Sequence, residues 1–197
     1  DLSHYDRLAT EVGTFAAVRR ILDLHMTPST RLLERSRLDL LVWPETVYPT
    51  TFGAPKSAEG AAFDREIAGF VAGAGIPLVF GAYDVEDGDE FNAAFFLEPP
   101  TEGRVVFDTY RKATLFPLTE RVPALLEWGP VRERLPWLGT WKAGPGAVVV
   151  DVGLADGRTL RVAPPICYGV PAPAIALDGA RASAEVIVTL SNDSWFA

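Results

Sequence analysis

Short apolar runs of strand length dominate this chain, and the spacing between them limits how they can pair. The runs at 77–83, 91–97 and 104–110 are separated only by turns, the acidic stretch 84–90 and the Pro99-Pro100 pair. No crossover helix fits between them, so adjacent members pair antiparallel. Elsewhere helix-length patterns intervene. Tyr5, Leu8, Val12 and Phe15, continuing to Leu22, recur at helical spacing behind Ser3 as an N-cap. Thr27-Pro28 is expected to end that helix and start a short second one. Phe63, Ile67, Phe70, Val71 and Ala74 mark another helix, stopped by Gly75. Residues 38–43 read as a strand buried on both faces, and 147–152 and 160–166 as a hairpin turning at Asp156-Gly157. An alanine-rich helix over 172–183 and a last buried strand over 185–190 complete the pattern. The mixture predicts an α/β fold with helices packed outside mixed β-structure.

The chain has 197 residues, enough for a single cored domain over 1–197. Its net charge of −8 and lack of a basic stripe argue against a nucleic-acid partner. One cysteine excludes an internal disulfide. The longest apolar stretch, 69–83, is broken by glycines and Pro77 and falls short of the roughly 20 residues of a membrane span. Residues 113–146 lose the strand rhythm and hold Pro117, Pro123, Pro130 and Pro136 with Trp128, Trp137 and Trp141. So long a segment is either a functional loop or short helices over a sheet edge. Its aromatic residues suit a lipid surface or an ordinary core equally.

Three strand ends carry reactive side chains of complementary type. Cys167 lies between Pro164-Pro165 and Gly169, a stiff setting that ends a strand abruptly and can present sulfur at its tip. Alone, a cysteine in an apolar run is ordinarily a small buried hydrophobe. A nucleophilic thiol needs a base; a pKa clearly below the ordinary value near 8.5 would argue against an inert buried cysteine, and an ordinary one would favour a domain without catalysis. The two histidines, His4 and His25, precede every expected strand, which leaves a carboxylate as the better-placed base. Glu45 follows directly on the strand ending at Trp43-Pro44, and a desolvated carboxyl there can act as general base. Lys112 ends another strand, and a positioned ammonium is what a tetrahedral oxyanion requires. Glu120 can orient Lys112 or lie on the loop surface. On their own, Glu45 and Lys112 would each pass for solvated strand-end residues.

Taken together these residues resemble the Glu-Lys-Cys triad of the nitrilase, or carbon–nitrogen hydrolase, superfamily. The matching stretches are Leu40-Leu41-Val42-Trp43-Pro44-Glu45-Thr46, Tyr110-Arg111-Lys112 with Leu115-Phe116-Pro117 and Glu120-Arg121-Val122-Pro123, Pro165-Ile166-Cys167-Tyr168, and Leu190-Ser191-Asn192-Asp193-Ser194-Trp195-Phe196. Trp43 before Pro44-Glu45 and the Asn192-Asp193-Ser194-Trp195-Phe196 ending look most like the apolipoprotein N-acyltransferase branch. The resemblance implies an αββα sandwich, with Cys167 as nucleophile, Glu45 as general base, Lys112 as stabiliser of the tetrahedral intermediate and Glu120 supporting the lysine. It implies acyl transfer through a Cys thioester, from a phospholipid donor to the N-terminal amine of a lipoprotein, with no metal or organic cofactor. The setting implied is the periplasmic face of the bacterial inner membrane, reached through regions outside this chain, with the piece itself soluble.

Gly169 stands where the family usually has an acidic residue after Cys-Tyr, and the family's domain usually opens with a strand and continues past the Asn-Asp-x-Trp-Phe motif. The sandwich is therefore expected to be incomplete at both ends, with open sheet edges that favour self-association. Two other readings share these residues: a soluble amidase acting on a small C–N substrate, and a non-catalytic remnant of such a domain.

Overall fold

The computed structural model describes residues 5–101, 103–117, 120–121, 141–169 and 173–192. Helix α1 (Tyr5–Val12) and helix α2 (Thr14–Leu33) are separated at Gly13, whose φ of 87° lies outside the helical range. The expected break at Pro28 does not occur, and α2 runs through it. The carbonyl that Pro28 leaves without an N–H belongs to Leu24, a position exposed to water, so the missing bond is tolerated there. Strand β1 (Leu41–Val42) and strand β2 (Tyr48–Thr51) precede helix α3 (Ala58–Ala74). The Ser57 hydroxyl caps the start of α3 by accepting from Gly60 N, and Gly75 ends it in the left-handed conformation, as its sequence pattern predicts.

Strands β3 (Leu78–Glu86), β4 (Asp89–Thr101) and β5 (Arg104–Arg111) form the antiparallel meander expected from their short connections. Asp87 and Gly88 both take positive φ, which makes the β3–β4 turn tighter than the acidic stretch suggests. β1 and β2 pair parallel with β3, giving a five-stranded mixed sheet. A second sheet holds β6 (Val150–Gly153), β7 (Thr159–Ala163) and β8 (Val186–Ile187). β6 and β7 are joined by the Asp156-Gly157 hairpin, and helix α4 (Pro173–Arg181) lies between β7 and β8 in sequence.

Alternation along the strands sets the layers. Leu78, Phe80 and Ala82 of β3 and Ala93, Phe95 and Leu97 of β4 face α2 and α3, where they pack with Leu22, Phe63 and Ile67. Val79, Ala94, Phe96 and Tyr110 face the other way and meet Val150, Val152 and Val162 of the smaller sheet. Gly179 of α4 comes close to Ala163, so α4 covers the outer face of β7. The order is helix, sheet, sheet, helix, the αββα arrangement. Two edge strands are less buried than their apolar composition suggests. Val42 of β1, beside Val79 on the inter-sheet side, is 44% exposed, and Ile187 of β8, beside Ala163 on the α4 side, is 55% exposed, because both lie on strands at a sheet margin. No helix among the described residues is long and apolar enough to cross a membrane.

Candidate active site

One end of the larger sheet brings the carboxylate and the ammonium together. β1 and β5 both finish there, and Glu45 and Lys112 lie just beyond them. Lys112 continues the side of β5 that carries Tyr110, the side turned toward the smaller sheet. Its neighbour Arg111 points to the opposite face, where it donates to Asp84 at 2.7 Å and lies over the Phe91 ring. Two adjacent basic residues are thus divided between the two faces by strand geometry.

The Lys112 ammonium is buried. It donates to Glu45 Oε1 at 2.9 Å and to Glu120 Oε1 at 2.8 Å. Burial works to lower its pKa, but the two carboxylates outweigh that effect and the net direction is upward. An ammonium carries three N–H groups, so one remains beyond these two bonds among the described residues. Glu120 is held by its own loop, with Oε2 accepting from Phe116 N at 2.8 Å and its backbone N–H donating to Phe116 O at 3.0 Å.

Two glycines permit the close approach of these segments. A Cβ on Gly81 would lie 2.3 Å from Thr46 N and 2.6 Å from Glu45 Cα. A Cβ on Gly144 would lie 2.2 Å from Arg111 O, and Gly144 N donates to Lys112 O at 2.9 Å. Thr46 itself has φ of 55°, a left-handed conformation for a β-branched residue immediately after Glu45.

Cys167 arrives from the second sheet. Beyond β7, Ile166 bridges to Leu190, and Cys167 N donates to Leu190 O at 2.8 Å. Cys167 then opens a single 3₁₀ turn with φ of 43°, so the chain leaves the strand sharply at the sulfur-bearing residue. The residue is partly exposed and borders the inter-sheet core. Desolvation pushes its thiol pKa up, and the charge of Glu45 adds to this. Lys112, the Ser191 side chain and the Tyr168 backbone pull the other way without prevailing. The lowered thiol pKa that would set Cys167 apart from an inert cysteine is therefore not what this environment produces: the balance favours the protonated sulfur, with a carboxylate within electrostatic reach.

Of the four residues singled out in the sequence, Glu45, Lys112 and Glu120 are joined directly by hydrogen bonds, and Cys167 is linked to them only through the charges of Glu45 and Lys112 that act on its thiol. His25 lies elsewhere: its ring bonds to Ile21 O and sits tilted beside Trp43 on the helix-covered face. His4, Trp128 and Trp137 lie outside the described residues. Trp141 packs against Tyr83 at 4.5 Å. Asn92 was missed by sequence reading. Its signal was a single amide inside the apolar run of β4, in step with Ala94 and Phe96 on the inter-sheet face.

A family model described as carbon–nitrogen hydrolase matches residues 16–197. Relatives include an apolipoprotein N-acyltransferase of Chlorobaculum tepidum, 30% identical over 180 residues, covering 81% of this chain and 33% of that protein. One of Pseudomonas aeruginosa is 31% identical over 184 residues, covering 91% of this chain and 32% of the relative. An apolipoprotein N-acyltransferase 2 of Treponema denticola is 28% identical, covering 80% and 30%. The chain thus spans about a third of the length of these relatives. Among solved structures, an amidase of the nitrilase superfamily from Nesterenkonia superposes with a TM-score of 0.60 at 20% identity, covering 88% of this chain and 60% of that one.

Proposed function

The chain belongs to the carbon–nitrogen hydrolase family, and from that premise we propose that residues 1–197 form one acyltransferase domain working through a Cys167 thioester. The observation that carries this reading is the buried Glu45–Lys112–Glu120 group lying within electrostatic reach of Cys167. Glu45 is the general base, Cys167 the nucleophile and Lys112 the oxyanion stabiliser, with Glu120 holding Lys112 in place.

In the first half-reaction Glu45 takes the proton from Cys167 Sγ as sulfur attacks the carbonyl carbon of an acyl ester. The spare N–H of Lys112 supports the tetrahedral oxyanion. The ester C–O bond then breaks, and the departing alkoxide takes the proton back from Glu45. In the second, an amine attacks the thioester carbonyl, Glu45 accepts its proton, the C–S bond breaks and the sulfur is reprotonated. A resting thiol fits this scheme, because the proton needs to leave only as the bond forms.

The relatives' name supports acyl transfer to the amine of an apolipoprotein; a phospholipid donor and the periplasmic face of the inner membrane are what the resemblance of the motifs implies. The free edges carrying Val42 and Ile187 are surfaces where copies or further chain can associate. A soluble amidase would use the same three residues on a small amide, and the amidase neighbours share the fold alone. Incubation with vesicles of alkyne-tagged phospholipid, followed by detection of label on Cys167, tests the donor. Label on Cys167 that passes to a peptide amine supports acyl transfer. Turnover of simple amides with no labelling from lipid would overturn it in favour of the amidase.

A further inference from the structure

Asn92 is buried in β4, opposite the start of the Lys112 segment, with Lys112 N donating to its carbonyl at 2.8 Å. Its side-chain amide donates to Glu45 Oε1 at 2.8 Å and to Glu120 Oε1 at 3.0 Å. These are the same two oxygens that Lys112 engages. The orientation of the amide follows from chemistry, since the reverse would turn a carbonyl oxygen toward two carboxylates. Glu45 Oε1 therefore accepts from two buried donors, whereas Glu45 Oε2 is buried with no hydrogen-bond partner among the described residues. A carboxylate so divided has one oxygen committed and one left to take up a proton.

We infer that Asn92 is a positioning residue for the base: with Lys112 it fixes Glu45 Oε1 and leaves Oε2 as the proton-exchanging oxygen. The inference rests on the acyl-transfer reading of the same site. Asn92 has a second effect, because it binds both carboxylates without adding charge and so ties two like-charged groups to one ammonium. The titratable groups that face Glu45 are Lys112 beyond β5, Glu120 in the following loop and Cys167 beyond β7.

The test is the pH profile of Cys167 acylation by p-nitrophenyl butyrate, followed as a mass adduct, in wild type, Asn92→Ala, Asn92→Asp and Asn92→Gln. Removing one donor from Oε1 changes the base and not the nucleophile, so the acidic limb of the profile should move by about one pH unit in Asn92→Ala. Asn92→Asp, which keeps the shape but loses the donor, should move it at least as far. Asn92→Gln retains an amide and should lie closer to wild type. A variant that merely loosened packing would lower the rate by a common factor at every pH. An unmoved limb in Asn92→Ala, or in Asn92→Asp if the alanine variant does not fold, overturns the inference while leaving the nucleophile assignment intact. Absence of any adduct on wild-type protein overturns the acyl-transfer reading and takes this inference with it.

Discussion

Lys112 and Glu45 lie 67 residues apart in sequence and form a 2.9 Å ion pair in which both side chains are almost wholly withdrawn from water, at 2% and 3% exposure. Such a pair is weak grounds for stability, because desolving both charges offsets much of their attraction. Asn92 and Glu120 add hydrogen bonds to it, on Glu45 Oε1 and Lys112 Nζ, while Glu45 Oε2 keeps no partner among the described residues. Breaking it asymmetrically has a calculable sign.

Lys112→Ala leaves two buried carboxylates without their counter-ion and should destabilise the fold by about 3–5 kcal/mol at neutral pH. Stranded carboxylates have raised folded pKa values, so their penalty is absent at low pH and grows as pH rises. Urea melts at pH 4.5 and pH 7.5 check this: the deficit should shrink on acidification. An equal deficit at both would contradict the buried-charge account.

Glu45→Gln should separate two kinds of thiol reactivity. Removing the carboxylate charge lets Lys112 dominate the field at Cys167, so the thiol pKa falls. Alkylation by iodoacetamide at pH 8 should quicken, roughly threefold or more. Loading from an ester, which needs the base, should drop by about 100-fold or more. In wild type at pH 7 the thiolate fraction should fall below the roughly 3% of an ordinary thiol, given a pKa above its ordinary value.

Gly81→Ala places a methyl group against the backbone of Glu45 and Thr46, where no side-chain rotation relieves it. A loss of roughly 2 kcal/mol or more is expected, with ester loading falling further than stability alone explains. Thermal melts and adduct rates on the same preparation check both parts.

Alkaline pH should unfold the protein early. The folded pKa values of Lys112, Tyr48 and Cys167 are all raised, the last two chiefly by burial. For each, the stabilising contribution is complete below the unfolded pKa and is lost as pH rises through the folded one. Stability should begin to fall near pH 9 with the thiol and drop steeply above about pH 10. A flat profile to pH 11 would contradict these burials.

Much of this fold was legible because strand alternation and turn chemistry are local. The meander from Leu78 to Arg111 and the α3 stop at Gly75 follow directly from residue order. Pro28 misled because a proline's effect depends on whether the freed carbonyl meets water, which only tertiary placement decides. Val42 and Ile187 misled because composition does not reveal which strands lie at sheet margins. At the site, Glu45, Lys112, Glu120 and Cys167 stood out through their motifs. Asn92, Gly81 and Gly144 did not, since their roles exist only through contacts made from distant segments. The direction of the Cys167 shift was equally hidden: it depends on the balance between a carboxylate and an ammonium at a shared site.

Intact mass of the folded chain after exposure to an activated short-chain ester probes the account at its centre. One acyl group on Cys167, removed by hydroxylamine, missing from Cys167→Ala and sharply reduced in Glu45→Gln, is the predicted result. A native protein whose free thiol gains no acyl group, or gains it equally with and without the Glu45 carboxylate, would contradict it.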